Sequence, residues 1–341
     1  MPAAAPRVRL PCAGEYSTPA TKRRSPPLAT AADTTGADLV CIVLVNWNGW
    51  RDTAACLESC AGVTYPRVAL IVVDNGSTDG SLTHLRERFQ HVHFIETGAN
   101  LGFAGGANAG LHAALARGAE YVWLLNNDTI VDPEALGALV EAMEMHPAAG
   151  ITGSRIAYLD RPRILWFAGG FLSRRWGWTS HRGAGETDTG QYGDLTDVDF
   201  VTGCSLLVRA SAARDLGPMD ERFFLYWEDV EWCARARRAG WRVVYVPSSL
   251  VWHKIGASAP DADSRARWRY EGRNRLLFYR RHRPAALPRI ICTSLLNAGY
   301  LAVRGRPAAA LGLLQGMADG LCDGTGPLTS RRTAMDPPRP H

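Results

Sequence analysis

The eight-residue stretch VWLLNNDT, Val122 to Thr129, indicates how the chain folds, because four apolar residues lead directly into three polar ones. A continuous apolar run of this kind is typical of a strand that is buried on both faces, as parallel sheets require. In open α/β sheets, ligands bind at the carboxyl ends of such strands. Asp128 would then offer an oxygen ligand to a hard divalent cation. The alternative is that Asn126, Asn127 and Asp128 only turn the chain and cap a helix that begins near Pro133.

The same arrangement recurs along the first half of the chain. Apolar runs at 39–45 and 68–73 also end in polar turns, and a Gly-rich run at 100–108 opens a helix of small residues. Strands that alternate with helices at this spacing predict βαβ units. The sequence therefore predicts an α/β fold, a Rossmann-like and mostly parallel sheet flanked by helices, with the polar turns gathered at one edge.

The second half of the chain has a weaker pattern, which begins after Gly150. Residues 171–197 have no period, and a loop of this length inside a domain is usually functional or mobile. The spacing predicts strands at 164–170, at 198–208 with a break at Thr202-Gly203, and at 241–246, and a helix from Glu228 to about Ala239, with Gly240 as its C′ residue.

Composition defines the ends of the chain. Residues 1–37 are rich in Ala, Pro, Thr and Arg without periodicity, which predicts a disordered leader. An α/β domain is predicted at 38–262, with halves at 38–150 and 151–262. A basic and apolar helical extension follows at 263–325, and a disordered tail at 326–341.

The helical extension combines a basic segment with an apolar one. Residues 264–283 carry eight arginines among aromatic side chains, and residues 287–303 are mostly apolar. This combination indicates a peripheral contact with a membrane surface. The equally weighted alternative is a helical layer that packs on the domain. Because the arginines cluster in one segment without a recognised docking motif, no nucleic-acid partner is expected.

Charge and cysteine usage bear on the compartment. The formal net charge is +5, which suits an anionic ligand or surface. The eight cysteines are scattered without a CxxC pair, so we interpret them as reduced thiols of a cytosolic protein. The sequence shows no signal peptide and no clear transmembrane run. The predicted location is cytoplasmic, and a membrane contact would form at the inner face of the cell membrane.

Two polar turns have side chains that suit a nucleotide. Asp74 ends the second strand, where its carboxylate can accept a hydrogen bond from a pyrimidine N–H, and Asn46 and Asn48 close the first strand. The alternative for Asp74 is a turn acid, with Gly76 and Gly80 supplying the bend.

The Gly-rich run that follows offers a place for phosphate. Asn100, followed by glycines at 102, 105 and 106, lets the backbone and a helix N-terminus approach phosphate or ribose closely. Close helix packing is the alternative reading of the same glycines.

The pair Glu228-Asp229 opens a helix, where the positive end of the dipole favours acids. That field lowers the pKa of a carboxylate and keeps it ionised, as a general base requires. The alternative is that the dipole alone explains both acids. Glu231 and Arg235 have i,i+4 spacing, which predicts a surface ion pair.

Taken together, these motifs resemble a glycosyltransferase of family 2. They are VVDNGSTDGS at 72–81, NLGFAGGAN at 100–108, LNNDT at 125–129 and FFLYWEDVEW at 223–232, followed by His253. The motifs occur in the family's order, and the resemblance is strongest to rhamnosyltransferase-like enzymes, which have a GT-A fold. The resemblance covers about residues 39–283.

The resemblance implies roles for individual residues. The half 38–150 would bind the nucleotide sugar, and the half 151–262 would bind the acceptor and carry the catalytic acids. A divalent ion, Mg²⁺ or Mn²⁺, would bind Asp128 and His253, although Asn126 stands where the first acid of the family's D-x-D motif usually stands. Asp229 would be the base and Glu228 would orient the acceptor. The residues implied in nucleotide-sugar binding are Asn46, Asn48, Asp74, Asn75, Asn100, Gly102, Gly105, Asn108, Asn126 and Asn127.

The implied reaction is an inverting transfer of a hexose from a nucleoside diphosphate sugar to an acceptor hydroxyl. The subgroup favours dTDP-L-rhamnose as donor and leaves open a glycan, a lipid-linked glycan or a small metabolite as acceptor. One rival is a sugar nucleotidyltransferase, which needs a Gly-rich loop with Lys or Arg after the first strand, and residues 46–50 are not such a loop. The other rival is a sugar-nucleotide-binding regulator or inactive homologue.

Overall fold

The computed structural model describes residues 36–173, 175–255, 264–322 and 324–328. These residues belong to one compact unit. Most of the predicted leader and tail lies outside them.

The first half of the chain forms parallel strands covered by helices, as predicted. Three of the strands are almost entirely apolar and most of their side chains are buried, for example Ile42 and Val72. The elements are β1 (Val40–Asn46), α1 (Trp50–Cys60), β2 (Val68–Asp74), α2 (Ser81–Arg88), β3 (His93–Glu96), α3 (Gly102–Ala116), β4 (Tyr121–Asn126), β5 (Thr129–Val131) and α4 (Ala135–Met145).

Strand register brings the predicted polar turns together. The strands β3, β2, β1 and β4 lie side by side in that order, all parallel. Asn46 pairs with Asp74, and Val45 pairs with Asn126. The polar ends of three strands therefore reach the same edge of the sheet.

The second half extends this sheet through the sequence β4-β11-β6-β12-β10. Of these strands, β11 is antiparallel to its neighbours, whereas β6 and β12 run parallel to each other. The predicted α/β architecture with a mostly parallel sheet is confirmed. The elements are β6 (Ala149–Tyr158), β7 (Leu165–Phe167), β8 (Gly170–Leu172), β9 (Thr179–His181), β10 (Thr196–Asp197), β11 (Ser205–Arg209), α5 (Ala210–Leu216), α6 (Glu228–Arg238) and β12 (Arg242–His253).

Three predictions for this half were wrong. The long strand β6 was not predicted, because its small residues hide the apolar pattern; a Cβ at Gly153 would collide with Val201, which packs over the strand. The predicted strand at 198–208 begins only at Ser205, since the backbone before it turns towards α6. The segment 171–197 contains the hairpin β8–β9.

Three helices follow the sheet: α7 (Arg265–His282), α8 (Leu287–Val303) and α9 (Pro307–Leu321). Glycines at 312, 316 and 320 bring α9 against the backbone of α7, and a Cβ at Gly316 would collide with the carbonyl oxygen of Arg269. Arg273 and Arg275 of α7 are buried. For α7, the alternative of a packed helical layer therefore holds.

The helix α8 carries an exposed apolar stripe formed by Leu295, Leu296, Tyr300 and Val303. The segment Pro284–Val303 is the single helix within the described residues that is long and apolar enough to cross a membrane, and most of it is not buried in the protein. By itself this is weak evidence for a span.

Candidate active site

The side chain of Asn46 organises the sheet edge where the nucleotide is predicted. Its Nδ2 donates to Asp74 Oδ1 and to Ser77 Oγ, both at 3.0 Å, and its Oδ1 accepts from Thr53 Oγ1 at 2.8 Å. The second oxygen of Asp74 accepts from Ser77 N at 3.1 Å. The Asp74 carboxylate is therefore held in one orientation at the end of β2.

The neighbouring turns are tied to the same network. Asn48 has a φ of 52°, which Asn tolerates better than most residues, and its Oδ1 accepts from Thr78 N at 2.7 Å. From β4, Asn127 Nδ2 donates to Thr53 Oγ1 at 2.8 Å. Hydrogen bonds thus connect the ends of β4, β1 and β2 through α1.

The start of α3 is fixed by Asn75 and Asn100. Asn75 Nδ2 donates to Gly102 O at 2.9 Å, and Asn100 Oδ1 accepts from Gly102 N at 2.8 Å. Gly102 has a φ of 74°, and a Cβ there would collide with the carbonyl oxygen of Phe224. Only glycine lets the loop before α6 approach α3 this closely.

Two of the predicted binding residues have contacts that favour a structural role. A Cβ at Gly105 would lie 2.6 Å from the Leu101 side chain, so this glycine serves helix packing. The buried Asn108 donates to Met219 O and Glu221 Oε1, each at 2.9 Å, and accepts from Met219 N at 2.8 Å. Its amide is fully engaged within the protein.

Asp128 and His253 meet at the end of the sheet, where a cation site was predicted. His253 Nε2 lies 3.0 Å from Asp128 Oδ1 and 3.5 Å from Asn126 Nδ2, and both Asp128 and His253 are buried. Among the described residues, no group of three or more His, Cys, Asp or Glu side chains forms a metal site. One carboxylate and one imidazole fit a cation that takes its other ligands from water and substrate phosphate.

The predicted base Asp229 and the predicted cation ligand Asp128 lie near the same backbone turn. Asp229 Oδ2 accepts a hydrogen bond from Gly203 N at 2.9 Å. The carbonyl oxygen of Cys204, the residue after Gly203, accepts from Asn126 N at 2.9 Å. Burial raises the pKa of the Cys204 thiol, and the charges of Asp128 and Asp229 raise it further. The turn Gly203-Cys204 therefore bonds both to Asp229 and to Asn126, which stands two residues before Asp128.

The predicted effect of the helix dipole on these acids was wrong. Burial raises the pKa of both Glu228 and Asp229, and the charge of Asp229 raises that of Glu228 well above its ordinary range. Asp229 is affected less because Gly203 N and Val230 N, at 2.9 and 2.7 Å, donate to its carboxylate. Desolvation outweighs the dipole, and Asp229 is the acid of the pair that ionises more readily.

The loop before α6 has an unusual backbone that the sequence did not reveal. Phe224, Tyr226 and Trp227 all have positive φ, at 61°, 68° and 74°, which is unfavourable for non-glycine residues. Asn274 of α7 compensates: its Nδ2 lies 2.7–2.8 Å from the carbonyl oxygens of Phe223, Leu225 and Tyr226. Arg273 also donates to Phe223 O, at 2.9 Å.

An aromatic wall borders His253, and it too was missed. The ring of Trp166 in β7 contacts the His253 ring and the His181 ring edge-on, with 4.9 Å and 4.8 Å between the ring centres. Burial lowers the pKa of His181 to about 4. The hairpin β8–β9 that carries His181 lies in the segment where no structure was predicted.

The ion pair predicted for Glu231 exists but is not on the surface. Arg235 Nε donates to Glu231 Oε2 at 2.9 Å, and His282 Nε2 lies 3.0 Å from Glu231 Oε1. Glu231 is completely buried. Glu231 therefore ties α6 to the end of α7.

Comparisons with known proteins identify the family of the chain. The chain matches Glycosyl transferase family 2 over residues 41–217. It is 31% identical to an N-acetylglucosaminyl-diphospho-decaprenol L-rhamnosyltransferase of Mycobacterium tuberculosis over 63% of this chain and 76% of that protein. It is 27% identical to a low-salt glycan biosynthesis hexosyltransferase of Haloferax volcanii over 78% of this chain and 84% of that one.

The fold is shared with a mannosyltransferase from Pyrobaculum calidifontis, solved in complex with GDP-Man and Mn²⁺. The TM-score is 0.56 and the sequence identity 16%, over 87% of this chain and 91% of that one. The family match covers more than half of the sequence. The chain therefore belongs to glycosyltransferase family 2, and it is a glycosyltransferase with a GT-A fold.

Proposed function

We propose that the chain is an inverting rhamnosyltransferase that transfers L-rhamnose from dTDP-L-rhamnose to a hydroxyl of a diphosphate-linked, lipid-borne saccharide. The donor sugar and the acceptor are proposed from the mycobacterial relative. That protein is named as an L-rhamnosyltransferase that acts on N-acetylglucosaminyl-diphospho-decaprenol. The reaction type is supported by the turn Gly203-Cys204, which bonds to Asp229 and to Asn126, two residues before Asp128.

In this proposal Asp229 is the general base. It takes the proton of the acceptor hydroxyl while that oxygen bonds to the anomeric carbon of the sugar. The bond from this carbon to the diphosphate breaks at the same time, and the diphosphate leaves with the electron pair. Glu228, whose pKa is raised by burial and by the charge of Asp229, orients the acceptor.

The donor side of the cleft is assigned to the sheet edge. Asp74, held by Asn46 and Ser77, would accept from the base, and the N-terminus of α3 would lie near the phosphates. Asp128 and His253 would hold a divalent cation, which would supply positive charge to the departing diphosphate. The proposed fit is supported by the 3.0 Å convergence of their two side chains.

A membrane location is part of the proposal. The stripe Leu295, Leu296, Tyr300 and Val303 on α8 is apolar and exposed, and Arg289 and Arg304 lie at its two ends. Such a face suits the boundary between acyl chains and anionic headgroups. An acceptor with a lipid tail would be held in the same cytoplasmic leaflet.

The reaction is tested by measuring release of nucleoside diphosphate with N-acetylglucosaminyl diphosphoryl decane as acceptor. We expect dTDP-L-rhamnose to be used in preference to GDP-mannose and UDP-glucose. Asp229→Asn should lower the rate by about 10²–10⁴-fold, because the general base is lost. Asp215→Asn, which changes an exposed aspartate of α5, is the matched control and should leave the rate unchanged.

Other outcomes would contradict the proposal. Release of pyrophosphate in place of nucleoside diphosphate would indicate a nucleotidyltransferase. Binding of dTDP-L-rhamnose without turnover, and with no effect of Asp229→Asn, would indicate a sugar-nucleotide-binding protein.

A further inference from the structure

Helix α7, which lies beyond the residues matched to the family, presents two charged side chains next to the catalytic acids. Arg267 and Glu271 are one turn apart and therefore share a face of the helix. Trp227 Nε1 donates to Glu271 Oε2 at 2.8 Å, and the Arg267 guanidinium lies 5.6 Å from the centre of the Tyr226 ring. Tyr226 and Trp227 directly precede the acids Glu228 and Asp229 in the sequence.

Two buried polar atoms beside this face have no protein partner. Glu228 Oε2 and the hydroxyl of Tyr226 make no hydrogen bond within the described part of the chain, and Glu228 is only 5% exposed. Leaving such a group unpaired costs about 1–3 kcal/mol. A hydroxyl-rich ligand that bonds to both atoms would remove this penalty.

Arg267 is suited to an anion. No carboxylate of the described residues lies within ion-pair distance of its guanidinium, although its positive charge acts on Glu271, one turn away on the same helix. The charge of Arg267 lowers the pKa of His181. The ring of Trp166 contacts the rings of both His181 and His253. The guanidinium thus lies near Tyr226, which precedes the acid pair, and its charge also reaches His181.

We propose that Arg267 and Glu271 form the acceptor subsite, in which Glu271 accepts from a hydroxyl of the acceptor sugar and Arg267 binds the phosphate attached to that sugar. The inference rests on the proposed function and deepens it. It assigns recognition of a phosphorylated sugar to the helical extension, while the sheet edge recognises the donor.

The donor also contains a diphosphate, so the experiment must distinguish the two sources. Two acceptors with the same sugar are used with dTDP-L-rhamnose: N-acetylglucosaminyl diphosphoryl decane and decyl N-acetylglucosaminide, which lacks phosphate. For Arg267→Gln we expect kcat/KM to fall about 10–100-fold with the first acceptor and less than about 3-fold with the second. The KM for the donor should not change.

Arg265→Gln is the matched control, since Arg265 lies on α7 but bonds to Gln315 of α9 at 2.7 Å. It should leave both acceptors unaffected. A rise in the donor KM of Arg267→Gln with both acceptors would overturn the inference, because Arg267 would then serve the donor. Equal kinetics of wild type and Arg267→Gln would overturn it as well.

Glu271→Gln tests the other half of the subsite. Glutamine can still accept from the Trp227 indole, so the loop is preserved while the charge is removed. We expect the acceptor KM to rise about 10-fold with both acceptors, since both carry the same hydroxyls. An unchanged KM would remove Glu271 from the subsite.

Failure of the proposed function would be recognised separately. If the wild type transfers no rhamnose to either acceptor, calorimetric titration with N-acetylglucosaminyl diphosphoryl decane decides the inference alone. Weaker binding by Arg267→Gln than by the wild type supports it; equal affinity, or no binding by the wild type, overturns it. Arg267→Lys, which keeps the charge, replaces Arg267→Gln if that variant does not fold.

Discussion

At the scale of single residues, Glu228 and Asp229 illustrate a conflict between stability and function. Their carboxyl groups are adjacent and largely desolvated, so ionising both is unfavourable. Because the pKa of Glu228 is higher in the folded than in the unfolded chain, the folded state binds more protons between the two values. The contribution of Glu228 to stability therefore decreases as the pH rises.

Glu228→Gln should for this reason stabilise the protein. Glutamine stays neutral, so we expect the Tm to rise at pH 8 by about 2–4 °C for each kcal/mol regained, and to change less at pH 5. Sugar transfer should become slower, because the acceptor loses its orienting group. Thermal denaturation at the two pH values measures the effect, with Glu141→Gln on the surface of α4 as control. The assignment would be contradicted if the difference in Tm between the variant and the wild type were smaller at pH 8 than at pH 5.

The sequence was sufficient to predict that Asp74 and Asp128 lie at the same edge of the sheet. Asp74 and Asp128 each follow a buried apolar run, and parallel strands necessarily bring such ends to one edge. The raised pKa values of Glu228 and Asp229 were not predictable, since the start of α6 is visible in the sequence but the burial of these acids is a tertiary property. For the same reason Arg267 and Glu271 looked like ordinary helix charges.

At the scale of elements, the loop 223–227 depends on α7. Three residues with positive φ are each unfavourable by about 1–2 kcal/mol. The amide of Asn274 offsets this by bonding to three backbone carbonyls of the loop. Because Phe224 O also accepts from Phe103 N at 2.7 Å, the same loop fixes the start of α3.

Asn274→Ala should therefore reduce both stability and activity. The buried carbonyl groups would lose their donor, which predicts a loss of about 2–4 kcal/mol in the free energy of unfolding. We expect kcat to fall even at temperatures where the variant is fully folded, since Glu228 and Asp229 follow directly after the loop. Urea denaturation and initial rates measure the two effects. Asn297→Ala on α8 is the control, and an equal loss for both variants would refute the specific role of Asn274.

Elements built from small residues were the hardest to predict. The strand β6 contains Gly150 and Gly153. Helix α9 has glycines at every fourth position from 312 to 320, and these glycines lower its helix propensity. In both elements glycine is required by the close approach of a neighbouring side chain or backbone. Hydrophobic periodicity shows which residues are shielded from water, whereas a close contact at a glycine depends on a partner far away in the sequence.

At the scale of the whole molecule, the helical extension connects the cleft to the exposed stripe of α8. The buried Arg275 of α7 donates to Ser294 Oγ at 2.7 Å and Thr293 Oγ1 at 2.9 Å on α8, and to Gly177 O at 3.0 Å beside β9. Its guanidinium also lies 3.5 Å from the centre of the Trp178 ring. A helix that faces a membrane would thus be tied rigidly to the helix that carries Arg267 and Glu271.

This arrangement predicts that the exposed stripe is needed for lipid binding and not for chemistry. Leu296 is 69% exposed, and burying such a side chain in acyl chains is worth about 1.5–3 kcal/mol. Leu296→Glu should therefore reduce flotation with phosphatidylglycerol vesicles by at least about tenfold, while transfer to the short-chain acceptor N-acetylglucosaminyl diphosphoryl decane stays within about twofold of wild type. Met145→Glu is the matched control, because Met145 of α4 is 61% exposed and the charge change is the same. If both variants float as well as the wild type, α8 does not contact the membrane; if Leu296→Glu also loses transfer to the soluble acceptor, the stripe serves the fold of the extension.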